Sequence, residues 1–167
     1  MPTTIRCLFS PCRRYRYTWE MVWDADAAPC AFIGLNPSTA DERGPDPTVR
    51  RCIGYARDWG YGRLVMLNVF GFRETDRLAM KRIATPVAAA ADPRANDRAI
   101  RRTVARVLAG GGLVVAAWGS DGAHRGRSAE IRALLTGHPL HVLTLTAAGE
   151  PGHPLYLRKD LRPTRWA

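Results

Sequence analysis

The chain has 167 residues, 46% of them hydrophobic and 24% charged, which is enough for one domain with its own core and excludes wholesale disorder. No apolar run reaches the ~18 residues of a membrane span. Arg6, Arg13, Arg14 and Arg16 break up any leader-like stretch, so a cytoplasmic protein with no membrane partner is expected.

The net charge is +10, carried by 23 Arg and only two Lys, Lys81 and Lys159. A GC-rich genome accounts for Arg over Lys but not for the excess over 15 acids. An anionic partner, nucleic acid or nucleotide, is therefore expected, because Arg clamps phosphate bidentately.

Taken in chain order, Tyr15 to Trp23 places large apolar residues at 15, 17, 19, 21 and 23, a period of two that predicts a half-buried strand. Ala31 to Leu35 is wholly apolar, as in a strand covered on both faces. Asp46-Pro47 opens a helix, with Val49, Cys52, Ile53 and Ala56 inward and Gly60 as its stop. Leu64 to Val69 is a second buried strand. A short helix is expected around Leu78 to Ile83, and Asp92-Pro93 opens a longer one with an Ile100, Val104, Val107 and Leu108 stripe. Arg98, Arg101, Arg102 and Arg106 occupy its other side as a solvated face. Leu113 to Ala117 is a third buried strand, a helix runs to Thr136, and Val142 to Leu145 is a fourth strand.

This alternation predicts an α/β fold over residues 1–167, a single domain. It is a three-layer sandwich with a central, mostly parallel four-stranded sheet plus an N-terminal antiparallel edge strand. Ligands of such sheets sit beyond the carboxyl ends of the strands. Those ends carry Asn36, Asn68, Trp118 and His153.

Cys7, Cys12, Cys30 and Cys52 are unevenly spaced and read as inert thiols, neither disulfides nor metal ligands. No pair of His or carboxylates has metal spacing, so no metal and no cofactor is expected. Gly34-Leu35-Asn36-Pro37-Ser38-Thr39-Ala40-Asp41 crowds an amide, two hydroxyls and a carboxylate after a strand, which suits either water and anion binding or a turn and helix cap. Asn68 ends a strand, where a buried amide must be hydrogen-bonded. It suits the edge of a nucleobase or the fixing of its own loop. Phe70 and Phe72 follow, as stacking residues or as core. Arg73 pairs with Asp76 or faces the cleft, and Asn96-Asp97 reads as a helix cap. His153, in a Gly/Pro-rich loop, is placed to donate to developing negative charge.

Four blocks stand in order along the chain: Gly34-Leu35-Asn36-Pro37-Ser38, Trp59-Gly60-Tyr61-Gly62 through Leu67-Asn68-Val69-Phe70, Val114 to Gly119, and Gly152-His153-Pro154-Leu155-Tyr156-Leu157. In them the chain resembles the uracil-DNA glycosylase superfamily, and within it most closely the domain-of-unknown-function 1643 family, over residues 14–160. The resemblance implies a nucleobase-releasing hydrolase. Asn36, with Asp41, would place water, and His153 would stabilise the departing base. Leu35, Pro37, Ser38, Thr39, Asn68, Phe70, Phe72, Arg73, Trp118 and Gly119 would line the substrate. The resemblance leaves two alternatives, a glycosidase of free nucleotides or modified nucleosides, and a non-catalytic nucleic-acid binder. Position 36 departs from the acidic variants by being Asn, which takes no proton from water. Leu155-Tyr156 stands where small residues grip DNA.

Overall fold

The computed structural model describes residues 3–167. Its sheet has seven strands: β1 Thr4–Phe9, β2 Arg16–Val22, β3 Pro29–Gly34, β4 Arg63–Asn68, β5 Leu113–Ala116, β6 His141–Val142 and β7 Thr164–Arg165. They lie in the order β1-β2-β4-β3-β5-β6-β7. The four central strands, β4, β3, β5 and β6, are parallel, as expected. Antiparallel strands flank them on both sides.

The expected strand at 15–23 is therefore not the edge. β1, half-buried on alternate residues, lies outside it, and β7 closes the far side. β7 is only two exposed polar residues and gives no signal in sequence, whereas β1 turns Ile5, Cys7 and Phe9 inward in the alternation of a strand but ends against the polar turn that joins it to β2. The fourth parallel strand is also shorter than the expected 142–145, because the chain turns at Leu143 and pairs Leu145 with Pro151.

Helices α1 Pro47–Asp58, α2 Arg77–Lys81, α3 Ala95–Ala109 and α4 Arg127–Leu134 complete the layers. Val49, Cys52, Ile53 and Ala56 of α1 pack with Cys30, Phe32, Leu64, Met66 and Val115 on one face of the sheet. Ile100, Val104 and Val107 of α3 and Ile131 of α4 pack with Ile33, Val65, Leu67, Val114 and Trp118 on the other. Successive strand residues point to opposite faces, so residues of one strand divide between these two cores. No helix among the described residues is long and apolar enough to cross a membrane.

The period-two reading of β2 fails at one place. Leu8 pairs with Thr18 but Phe9 pairs with Arg16, leaving Tyr17 without a partner. This is a β-bulge, which re-aims the side chains on either side of it. Tyr15 and Tyr17 accordingly pack beside Ala99 of α3, whereas Trp19 joins the α1 core.

α1 begins as its sequence predicts. Asp46 caps it, accepting from Val49 N at 2.9 Å, with Pro47 in the first turn. α3 starts at Ala95, later than Asp92-Pro93, and has no side-chain cap. Asp92 instead pairs with Arg98.

Candidate functional site at the carboxyl ends of the parallel strands

β4 and β3 are neighbours in register, with Gly34 opposite Asn68. Asn68 is 4% exposed and shares the parity of Leu64 and Met66, which places it on the α1 face. A β-carbon on Gly34 would stand 2.9 Å from Asn68 Nδ2. Glycine is needed here because the amide lies directly over the backbone. Asn68 Oδ1 accepts from Arg16 Nη2 at 3.2 Å, and its Nδ2 donates to none of the described residues.

Asn36 begins the loop after β3. Its Nδ2 donates to Glu74 O at 2.6 Å and to Pro37 O at 3.2 Å, with Phe72 O further off at 3.5 Å. With the nitrogen spent on carbonyls, the Oδ1 is the side of this amide left to accept a hydrogen bond. Backbone contacts brace the same loop: Glu74 N donates to Pro37 O, and Ser38 Oγ lies 2.9 Å from Thr75 Oγ1. Thr39 is exposed.

The loop ends in two acids. Asp41 accepts from Arg43 Nε and Nη2 at 3.0 and 2.8 Å and from Arg43 N at 2.8 Å. These bonds hold its carboxyl below the ordinary range, so it is a poor base. Asp46 is 6% exposed, and its second oxygen accepts from Ala40 N at 3.3 Å. Ala40 O in turn accepts from Arg16 Nη1 at 2.9 Å. Asp46 and Arg16 thus hold the two sides of one peptide segment.

His153 accepts from Leu155 N through Nδ1 at 3.3 Å. An imidazole that accepts at Nδ1 carries its proton on Nε2. Burial depresses its pKa, against the pull of the Asp46 carboxylate. The His153 β-carbon lies 3.5 Å from a β-carbon built on Gly119, whose φ is +70°. The loop after β5 and the His153 loop therefore meet, and Gly119 N donates to Pro151 O at 2.7 Å.

Other expected substrate residues lie elsewhere. Trp118 is completely buried on the α3 side, its Nε1 donating to Glu150 Oε2 at 2.8 Å. Phe70 and Leu35 belong to that same core. Phe72 meets the Tyr15 ring edge-on with centroids 5.4 Å apart. Arg73 stacks on Phe9 and donates to Arg13 O at 3.0 Å, while Asp76 caps α2, so the two do not pair. Asn96 does not cap its helix. Fully buried, it donates to Asn68 O at 2.9 Å and ties α3 to the end of β4.

Two cationic features were not legible as site elements. Arg16 is 1% exposed beneath the Asn36 loop. A groove of about 430 Å³ runs between α1 and the segment after His153, lined by Pro47, Arg50, Arg51, Tyr55, Leu155 and Lys159 among others. Arg51 donates to Leu157 O and Tyr55 to Arg158 O across the base of this groove. Tyr156, beside it, is 87% exposed. The signal for the groove was the i,i+4 spacing of Arg51 with Tyr55 and of Arg50 with Gly54 and Asp58, which alone reads as a solvated face.

Against known proteins, the chain matches the family described as protein of unknown function, DUF1643, over residues 16–155. It belongs to that family. No curated protein and no solved structure matches it. The matched span runs from Arg16 to Leu155 and so includes Asn36, Asp46, Asn68 and His153.

Proposed function

We propose that this protein is a uracil-DNA glycosylase-like N-glycosidic hydrolase acting on a nucleobase in nucleic acid. The observation that carries the reading is complementary hydrogen bonding by Asn36 and Asn68 at the ends of the adjacent strands β3 and β4 and by His153 in the loop that meets the end of β5. Asn36 offers an acceptor, Asn68 a donor through Nδ2, and His153 a donor through Nε2. That combination suits hydrolysis of a glycosidic bond by water placement and leaving-group stabilisation. Water held by the Asn36 oxygen adds to the anomeric carbon. The glycosidic electron pair leaves with the base, and the water's proton passes to the base nitrogen or to solvent. Donors from Asn68 and His153 stabilise the base while it is negative.

Neither Asn36 nor Asp41, held by Arg43, serves as a strong base, so the chemistry rests on leaving-group stabilisation. The cationic groove favours a polymer over a free nucleotide, because Arg50, Arg51 and Lys159 offer charge for further phosphates, whereas the bulk of Leu155-Tyr156 favours the smaller substrate. The engaged Asp41 favours a second reading, a binder of nucleic acid without turnover.

Oligonucleotides carrying deaminated or alkylated bases, assayed for abasic sites, separate the readings. We expect base release that falls roughly 10²-fold or more in Asn68→Ala and His153→Ala. Binding without release from any base would leave only the second reading.

A further inference from the structure

Arg16 takes no part in the reaction as drawn above. It is almost completely buried, yet no carboxylate lies within 4.0 Å of it among the described residues. Two of its N–H groups are spent on Ala40 O and Asn68 Oδ1, and its Nε is enclosed without an acceptor. The opposing charge that acts on it most is Asp46, whose oxygens are already taken by backbone N–H groups. A guanidinium withdrawn from water without an ion pair destabilises a fold. Burial lowers its pKa to about 10, so it stays charged at neutral pH. Sequence-neutral packing does not account for it, since a Met or Leu fills such a space without that cost. The β-bulge at Tyr17 is the device that turns it onto the α1 face.

We infer that Arg16 is a positioning residue of the strand-end site: it holds the Asn68 amide with Nδ2 toward the ligand and supplies the buried positive charge against which the ligand's negative charge builds. The identity of that ligand, a departing base, rests on the glycosidase reading above. With its Oδ1 engaged by Arg16, Asn68 meets the ligand chiefly as a donor. The atom it faces is then an acceptor such as a ring carbonyl oxygen, on which the leaving electron pair delocalises.

The first test needs no reaction. Asn68→Asp supplies the missing carboxylate opposite Arg16. We expect it to raise the denaturation midpoint of the native protein and to lower it in an Arg16→Met background. Equal destabilisation in both backgrounds overturns the inference. The second test measures single-turnover release from single-stranded oligonucleotides carrying uracil or 5-fluorouracil. Arg16→Met is expected to slow uracil release roughly 10²-fold with substrate affinity nearly unchanged. The loss on 5-fluorouracil should be smaller, because the fluorinated ring is the stronger acid and needs less help. Arg16→Lys, which keeps the charge, should recover part of the rate. Equal losses on the two bases mean a structural role only and overturn the inference. Should Arg16→Met fail to fold, Arg16→Gln, which also lacks the charge, replaces it in both tests, with the same pattern expected. If the native protein releases neither base, the glycosidase reading fails. The stability cycle then decides whether the charge of Arg16 holds Asn68, and the part of the inference that concerns a departing base falls with that reading; absence of the sign reversal overturns the rest.

Discussion

A single missing β-carbon shapes the candidate site. At most strand positions Gly→Ala is stabilising through chain entropy. Gly34 is an exception, because the new methyl would meet Asn68 Nδ2 at 2.9 Å inside a packed layer. Gly34→Ala is expected to cost about 1–3 kcal/mol and to depress ligand binding further, as measured by urea unfolding and by oligonucleotide titration. The same residue scale governs pH. His153 has its pKa depressed below the ordinary imidazole value of 6.5 by burial. The unfolded chain therefore takes up this proton first as pH falls. The stability contributed by neutral His153 is present above 6.5 and is lost as pH falls through its lower folded value. Base release should show its acid limb below pH 6.5, and His153→Gln should remove that limb. An acid limb centred above 6.5 would contradict the neutral, Nε2-protonated imidazole.

At the scale of elements, α1 and the loop before it act as one piece. Asp46 caps the helix at Val49 N and also holds Ala40 N, so its removal strips two buried N–H groups of their partner. Loss of an N-cap costs about 0.5–2 kcal/mol, and an orphaned buried donor adds about 1–3 kcal/mol. Asp46→Ala is expected to exceed a simple capping loss in a chemical denaturation series, with Asp46→Asn intermediate because its amide still accepts one bond. The helix was readable from Asp46-Pro47 and from its apolar spacing. The second role of Asp46 was not, since nothing local links residue 46 to residue 40. β2 gives the same lesson more sharply. Its alternation from Tyr15 to Trp23 is plain in sequence, but one unpaired residue shifts the parity. Arg16 then sits on the same side as Trp19, which no count of alternating residues reveals.

Over the whole molecule, charge is the property with the longest reach. Arg50, Arg51 and Lys159 line one groove beside the His153 loop, and Asp58 is the acid there. Binding to single-stranded oligonucleotides is expected to weaken steeply with salt, at a slope of about −0.7 per phosphate neutralised. Replacing both Arg50 and Lys159 with Gln should reduce that slope by roughly 1–2 while leaving the rate of any bound-state chemistry unchanged. A slope untouched by the double substitution would place the strand elsewhere, for instance along the exposed arginines of α3. Trp118 belongs to this scale too. Buried on the α3 side and bonded to Glu150, it joins the strand layer to the loop that carries His153.

The amino-acid sequence by itself determined the alternation of strands and helices, the parallel centre of the sheet and the placing of Asn36 and Asn68 at strand ends, whereas His153 lies in a loop well beyond β6. These follow from short-range periodicity and from residues that start and stop elements, and both are local in the chain. Only the tertiary structure decided the flanking strands β1 and β7, the face on which each strand-end residue lies, and the burial of Arg16 beside Asn68. Those depend on pairing between segments far apart in sequence, where one bulge or one crossover exchanges the two faces of a sheet. Hydrogen bonds settled the rest. The same amide reads as acceptor at Asn36 and as donor at Asn68 because distant backbone carbonyls claim the nitrogen of one and a distant arginine claims the oxygen of the other.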